Sequence, residues 1–279
     1  MSSRKAFFSV VIPALNEERY LPRLLESLAK QLDRDFEVVV VDGNSDDRTV
    51  ARASQFGRRL SLRVLSTKKN VSLQRNTGAR AAKGGWLVFL DADTRVPANY
   101  LSEMHHFILK NRKSQFLTTW ACSDSKSDSD KVLTTAWNLM VEMANSLDRP
   151  VGRSVNMVIK KKLFWETGGF DESLLPPKKS EDEDLAKRLA KRGVKMNILR
   201  WLKVEVSLRR FRREGTLSTL RKYAMLTFRT YLDTPLTKKM LDFEMGGGVK
   251  SRRKKRFTAE IKKYSRKVKE ALTTELGQL

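Results

Sequence analysis

Gly84-Gly85-Trp86-Leu87-Val88-Phe89-Leu90-Asp91-Ala92-Asp93-Thr94 is the stretch on which the fold turns. Two glycines halt any preceding helix, and five apolar residues follow without polar alternation, the pattern of a strand buried on both faces. The strand ends in Asp91-Ala92-Asp93. In extended backbone, residues two apart point the same way, so both carboxylates face one ligand at the carboxyl edge of the sheet, where open α/β sheets bind ligands. Two hard oxygen donors suit Mg²⁺ or Mn²⁺, which bridges the phosphates of a nucleotide and neutralises a departing diphosphate. An isolated Asp-Ala-Asp also serves as a polar turn or helix cap, so its neighbours decide its meaning.

Upstream, Phe8–Ile12 and Phe36–Val41 are further apolar, β-branched runs bounded by turn formers. Between them Tyr20, Leu21, Leu24, Leu25 and Leu28 recur at helical spacing. A helix over Ser45–Phe56 follows the second strand, with Asp46 and Asp47 suited to its N-terminus. A weaker strand at Leu62–Leu65 leads to a helix near Ser72–Ala82. This β-α-β-α-β-α-β order predicts an α/β chain with a doubly wound, Rossmann-like, mostly parallel sheet flanked by helices. After Leu109 the alternation loosens. A polar loop, SDSKSDSD, precedes a helix over Lys131–Leu147 with an expected apolar face of Val132, Leu133, Ala136, Leu139, Met140 and Met143.

The other strand ends supply the context for Asp91 and Asp93. Asp42 closes the second strand, where its carboxylate can accept from a base or ribose or cap the next helix. Pro13-Ala14-Leu15-Asn16-Glu17 closes the first. That loop can hold a nucleobase while Glu17 accepts from a ribose hydroxyl, and Asn16 equally fits an N-cap. Gln74, Arg75 and Asn76 precede Gly78 and place a permanent charge where it meets base or phosphate, although an exposed helix face has the same appearance. Gly168-Gly169-Phe170-Asp171-Glu172 leads into Ser180-Glu181-Asp182-Glu183-Asp184, an acidic cluster that the dipole of the helix it opens suffices to explain.

In order along the chain, SVVIPALNEE, VVVVDGNSDDRT, QRNTGARAAKGGWLVFLDADT, GGFDE and EDEDLAKRLAKRG resemble the motifs of family-2 glycosyltransferases over residues 7–200. The resemblance implies a GT-A-type fold and transfer of a hexose-type sugar from a UDP- or GDP-sugar with inversion at the anomeric carbon. It implies nucleotide contacts at Pro13, Ala14, Glu17, Asp42, Arg75 and Asp91, with metal or diphosphate contacts at Asp91 and Asp93. Glycosyl transfer needs one carboxylate within reach of the acceptor hydroxyl, and Asp182 is the expected base, with Glu181 second. One departure matters. Many relatives carry a late His at the metal site, whereas the matching stretch here is Val204-Glu205-Val206-Ser207-Leu208-Arg209-Arg210, and the only histidines are His105 and His106. Arg209 or Arg210 is then expected to bring positive charge to the diphosphate. Residues 1–208 form the expected catalytic domain, with a nucleotide-binding half to about 110 and an acceptor half over 111–208.

Composition bounds the partners. The 279 residues carry 56 Lys+Arg against 32 Asp+Glu, a formal +24 that draws anionic partners by salt-sensitive attraction. Cys122 is the single cysteine, which excludes an intramolecular disulfide or a cysteine-built zinc cluster and fits a reducing cytoplasmic setting. The N-terminus lacks the apolar core and cleavage site of a signal peptide. No window approaches the roughly 18 apolar residues of a membrane span, so any membrane association is expected to be peripheral. Residues 209–279 read as a basic, helical extension. Within it Leu217, Leu220, Ala224, Phe228 and Tyr231 fall near one helical face beside many Arg and Lys, which suits either an anionic bilayer surface or packing on a core with a solvated basic face. On the first reading the acceptor is a polyprenyl phosphate or lipid-linked glycan. The basic run at 252–256 would also contact nucleic-acid phosphates, but no base-reading motif or interleaved aromatic accompanies it. A glycosyltransferase-like scaffold without chemistry is the remaining alternative, opposed by the presence of Asp91, Asp93 and Asp182.

Overall fold

The computed structural model describes residues 6–125, 127–146, 152, 155–173 and 181–209, so the expected extension lies outside the described residues apart from Arg209. The chain up to residue 110 builds β1 (Phe8–Ala14), α1 (Leu21–Ala29), β2 (Phe36–Asp42), α2 (Thr49–Ser54), β3 (Leu62–Ser66), α3 (Val71–Ala81), β4 (Trp86–Leu90), the short β5 (Thr94–Arg95) and α4 (Tyr100–Lys110). There follow β6 (Phe116–Ser123), α5 (Asp128–Ser146), β7 (Asn156–Lys160), α6 (Lys161–Glu166), α7 (Glu181–Lys191) and β8 (Asn197–Val206). All eight strands form one sheet in the order β3-β2-β1-β4-β7-β6-β8-β5.

The first four strands are mutually parallel, as their unbroken apolar runs require, and every residue of β1, β2 and β4 is buried. Alternate side chains go to opposite faces. Val10, Ile12, Val38, Val40, Val88 and Leu90 pack with Leu21, Leu24, Leu25 and Leu28 of α1 and with Tyr100, Leu101 and Met104 of α4. Val11, Leu87 and Phe89 pack on the other face with Ala79 of α3, Phe164 of α6, Phe170, and Leu185 and Leu189 of α7. Helix α3 lies close against the sheet because Gly78 has no side chain, and a Cβ there would collide with Val11. Beyond β4 the sheet becomes mixed: β7 runs antiparallel to both β4 and β6, while β6 and β8 are parallel.

Two expectations are corrected. The helix after β2 starts at Thr49, not Ser45, because residues 43–48 form a loop in which Asn44 is left-handed and Asp47 Oδ1 accepts from the Thr49 amide. The larger correction concerns α5. Its buried residues are Thr134, Asn138, Val141 and Ala144, while Val132, Leu139 and Met143 of the expected apolar face are 69%, 52% and 58% exposed. The reason is hydrogen bonding. Among the described residues, β7 pairs with β6 at Phe116 and Leu117 and the later part of β6 has no strand partner on that side. Asn138 covers it: its amide nitrogen donates to Ala121 O at 2.8 Å and its oxygen accepts from Ala121 N at 3.0 Å. A polar, small-residue face was needed there, and the apolar stripe was turned outward. Among the described residues no helix is long and apolar enough to cross a membrane.

Candidate active site

The carboxyl ends of β1, β2 and β4 lie side by side, with Ala14 level with Asp42. Gln74 holds the first two together, its Nε2 donating to Ala14 O at 2.8 Å and Val41 O at 2.9 Å. The loops beyond them are laced to each other. Asn16, left-handed at φ 57°, accepts from Asp46 N through its side chain and donates its own amide to Ser45 Oγ, and Glu17 N donates to Thr49 Oγ1. Asp42 is buried, and both its oxygens accept from Ser45, through the amide at 2.9 Å and the hydroxyl at 2.5 Å. Pro13, Ala14, Glu17 and Asp42 are thus brought to one ledge, as the sequence places them.

Asp91 and Asp93 follow β4 at the centre of this edge. Each is engaged by a guanidinium. Arg75, only 2% exposed, donates through Nη2 to Asp91 at 2.9 Å and through Nη1 to Glu181 at 2.6 Å, while its plane lies over the Phe170 ring at 5.4 Å. Burial opposes its charge, but Asp91, Glu181 and Asp182 together override burial and strengthen its hold on the proton. Its Nε is buried with no hydrogen-bond partner. The same helix turn places Asn76 against the Gly168-Gly169-Phe170 turn, where its side chain donates to Phe170 O and Glu172 and accepts from Phe170 N. Gly169 adopts φ 67°, a conformation suited to glycine. Helix α3 therefore carries both the pin that shapes the GGFDE turn and the arginine that ties α7 to β4.

Arg209 is the second guanidinium. It meets both oxygens of Glu17, with Nη1 at 2.8 Å from Oε2, places Nε 3.1 Å from Asp93 Oδ2, and lies 4.4 Å over the Tyr20 ring. The sequence marks Arg209 through the missing His, but nothing in it marks Tyr20 as a platform. At the start of α7, Asp182 Oδ1 accepts from Glu183 N, whereas Glu181 is held by Arg75. The carboxyl of Asp93 is pushed up to about 6, first by burial and then by the charge of Asp91, against the pull of Arg209. Glu181 is also raised, by burial and then Asp182, with Arg75 opposing.

Asp91 and Asp93 fit a divalent cation in one specific sense. They are two part-exposed oxygen donors whose mutual repulsion already raises one of them, and phosphate and water oxygens would have to complete the shell. No group of three or more His, Cys, Asp or Glu is arranged as a metal cage among the described residues.

Comparisons with known proteins bear on the family and the fold. The model for "Glycosyl transferase family 2" matches residues 9–168. An uncharacterized glycosyltransferase of Haemophilus influenzae is 28% identical over 184 residues, covering 65% of this chain and 61% of that protein. The poly(ribitol-phosphate) beta-N-acetylglucosaminyltransferase TarS of Staphylococcus aureus is 36% identical over 106 residues, covering 36% of this chain and 18% of that one. The chain thus spans less than two thirds of the length of these curated relatives. In solved structures, TarS residues 1–349 with UDP-GlcNAc superimposes with a TM-score of 0.60 at 23% identity over 72% of this chain and 58% of that one. The mannosyltransferase PcManGT of Pyrobaculum calidifontis with GDP-Man and Mn²⁺ gives 0.64 at 20% identity over 86% and 69%. The architecture is the GT-A fold.

Proposed function

Because the chain belongs to glycosyl transferase family 2, we propose that it transfers a hexose-type sugar from a UDP- or GDP-sugar to a phosphate-bearing acceptor, with inversion by direct displacement. The observation that carries this reading is the row of carboxylates at the carboxyl edge of β1, β2 and β4, each fixed from a neighbouring element: Glu17 and Asp93 by Arg209, Asp91 and Glu181 by Arg75. Such a row, held before any ligand arrives, is the preorganisation that transfer requires.

Pro13, Ala14, Glu17 and Asp42 form the ledge for base and ribose. Asp91 and Asp93 would hold a divalent cation, Mn²⁺ or Mg²⁺, whose contribution when bound is to neutralise charge on the leaving diphosphate. Arg209 lies where it can meet that diphosphate once Glu17 turns to a ribose hydroxyl, taking the part of the missing His. Arg75 is too enclosed to serve the nucleotide directly and acts through Asp91 and Glu181 as a positioning residue. Asp182, at the start of α7 beside the Arg75–Glu181 pair, is assigned as the base that takes the acceptor hydroxyl proton as the acceptor oxygen bonds to the anomeric carbon and the sugar–diphosphate bond breaks. TarS is named for a polymer of ribitol phosphate, and the net charge of +24 suits an acceptor of that kind, whether free or lipid-linked. Anionic acceptors and phospholipids are met at a cytoplasmic membrane face, the setting that the reading implies.

The test is release of nucleoside diphosphate from UDP-GlcNAc and GDP-mannose, with candidate phosphorylated acceptors, by the wild type and Asp182→Asn. The variant should bind donor as the wild type does and lose at least a hundredfold in acceptor-dependent turnover. Equal turnover by the two proteins removes Asp182 from the mechanism, and no turnover with any donor by either favours a binding role for the fold.

A further inference from the structure

Each of the two aspartates after β4 has one oxygen engaged by a guanidinium, and the two guanidinia are held with unequal firmness. Arg75 Nη2 meets Asp91 Oδ1 at 2.9 Å from a side chain that is 3% exposed, and its other terminal nitrogen is committed to Glu181. Arg209 Nε meets Asp93 Oδ2 at 3.1 Å and its terminal nitrogens meet both oxygens of Glu17, but its side chain is 37% exposed. All three of its guanidinium nitrogens are thus spent on two carboxylates, and the group rests over the Tyr20 ring. The backbone beside it is fixed independently, since Leu208 is buried and its amide reaches Asp124 at 3.3 Å. The Arg209 side chain can therefore change rotamer without moving β8.

We propose that Arg209 is a displaceable internal cation that closes the donor site to a divalent ion until a nucleoside diphosphate arrives. The inference rests on the function proposed above, in which Asp93 would hold that ion and Glu17 a ribose hydroxyl. Arg209 occupies the very oxygens that both uses require. A divalent ion and a guanidinium on the same Asp93 carboxylate would set two positive centres a few ångströms apart, and the partial burial of Asp93 and Glu17 strengthens that repulsion. An ion arriving alone must therefore displace Arg209, which leaves the guanidinium and Glu17 without the partners they have now. A nucleoside diphosphate removes that penalty on both sides. Its phosphate oxygens suit the planar fork of the guanidinium, and its ribose hydroxyl is a donor for Glu17. Nucleotide and ion should accordingly favour each other, with Arg209 as the element that couples them. Tyr20 supports the closed arrangement from the far side, because its ring holds the guanidinium without engaging either carboxylate. Arg75 cannot act in this way, being enclosed on Asp91 and Glu181.

Binding of Mn²⁺ to the full-length protein without nucleotide, followed by loss of the paramagnetic resonance signal of the free ion, tests this. Arg209→Gln should bind Mn²⁺ about tenfold more tightly than the wild type, and adding Asp93→Ala to that variant should remove the gain. Titration with UDP and GDP should show the opposite sign, the preferred nucleotide binding about fivefold more weakly to Arg209→Gln. A residue that only supported the fold would weaken both ligands when lost. Tyr20→Leu, which keeps every carboxylate and Arg209 itself, should give a smaller gain in Mn²⁺ affinity and serves as the second variant should Arg209→Gln fold poorly. Unchanged or lowered Mn²⁺ affinity in both variants, with nucleotide-dependent Mn²⁺ binding intact in the wild type, would overturn the role of Arg209 and leave the donor site standing. Absence of Mn²⁺ binding by every protein, with or without nucleotide, would overturn both.

Discussion

Arg75 makes two ion pairs from a site that is almost fully enclosed, and the consequence of losing it differs from that of losing a surface arginine. Removing one partner of a buried ion pair leaves the other charge uncompensated, at a cost of about 3 kcal/mol. Arg75→Met should therefore lower the unfolding free energy, measured by denaturant titration, by that order, and Arg75→Lys should recover only part of it, since an ammonium cannot span Asp91 and Glu181 with a planar fork. A variant with wild-type stability and weakened nucleotide binding would instead place the arginine on the nucleotide. Asp93 shows the opposite balance. Its folded-state value of about 6 lies above the ordinary 3.8, so the stability this group contributes is complete below pH 3.8 and is lost as pH rises through 6. Asp93→Asn should then be stabilising at neutral pH, and its advantage over wild type should grow by about 1 kcal/mol between pH 5 and pH 7 and level off above. Thermal denaturation across that range measures it, and a constant difference would contradict the assigned burial.

At the scale of elements, what the sequence makes legible depends on how the hydrophobic pattern is used. Strands β1, β2 and β4 declare themselves because they are buried on both faces, and the residues that end them, Ala14, Asp42 and Asp91, are fixed by the strands' own ends. Strands β6, β7 and β8 are less visible: Thr118 and Thr119 interrupt β6, and β8 alternates charged with apolar residues across an irregularity in its pairing with β6. Helix α5 misleads outright, since apolar periodicity marks a stripe but not which surface receives it, and an open strand edge needed hydrogen bonds more than methyl groups. Site geometry was hidden for a related reason. That Arg75 faces two carboxylates, or that Arg209 lies on Tyr20, depends on contacts between residues far apart in the chain. Asn138 offers the sharpest check on α5. Asn138→Ala removes both bonds to Ala121 and leaves a buried amide and carbonyl without partners, which should cost about 2 kcal/mol. Leu139→Ala, on the exposed stripe, should cost less than half as much on its own, and a reversed order would show that the helix is seated on its apolar face.

Over the whole molecule, charge and site are distributed differently. Residues 210–279 hold 19 of the 56 Lys+Arg and 7 of the 32 Asp+Glu, so about half the net charge lies in the last quarter of the sequence. The catalytic edge is rich in carboxylates by contrast, with Glu17, Asp42, Asp91, Asp93, Glu181 and Asp182 gathered on few elements. On the proposed reading, the net positive charge would attract a phosphorylated substrate at long range, and the acidic centre would hold the cation that receives the diphosphate. In the proposed mechanism Asp91 and Asp93 form a cation-assisted diphosphate site. Calorimetric titration with UDP and GDP, each with and without Mn²⁺, on the wild type and Asp93→Ala tests it most directly. One nucleotide should bind at least tenfold more tightly with Mn²⁺, and Asp93→Ala should abolish the metal-dependent gain; nucleotide binding indifferent to both Mn²⁺ and Asp93 would rule the site out.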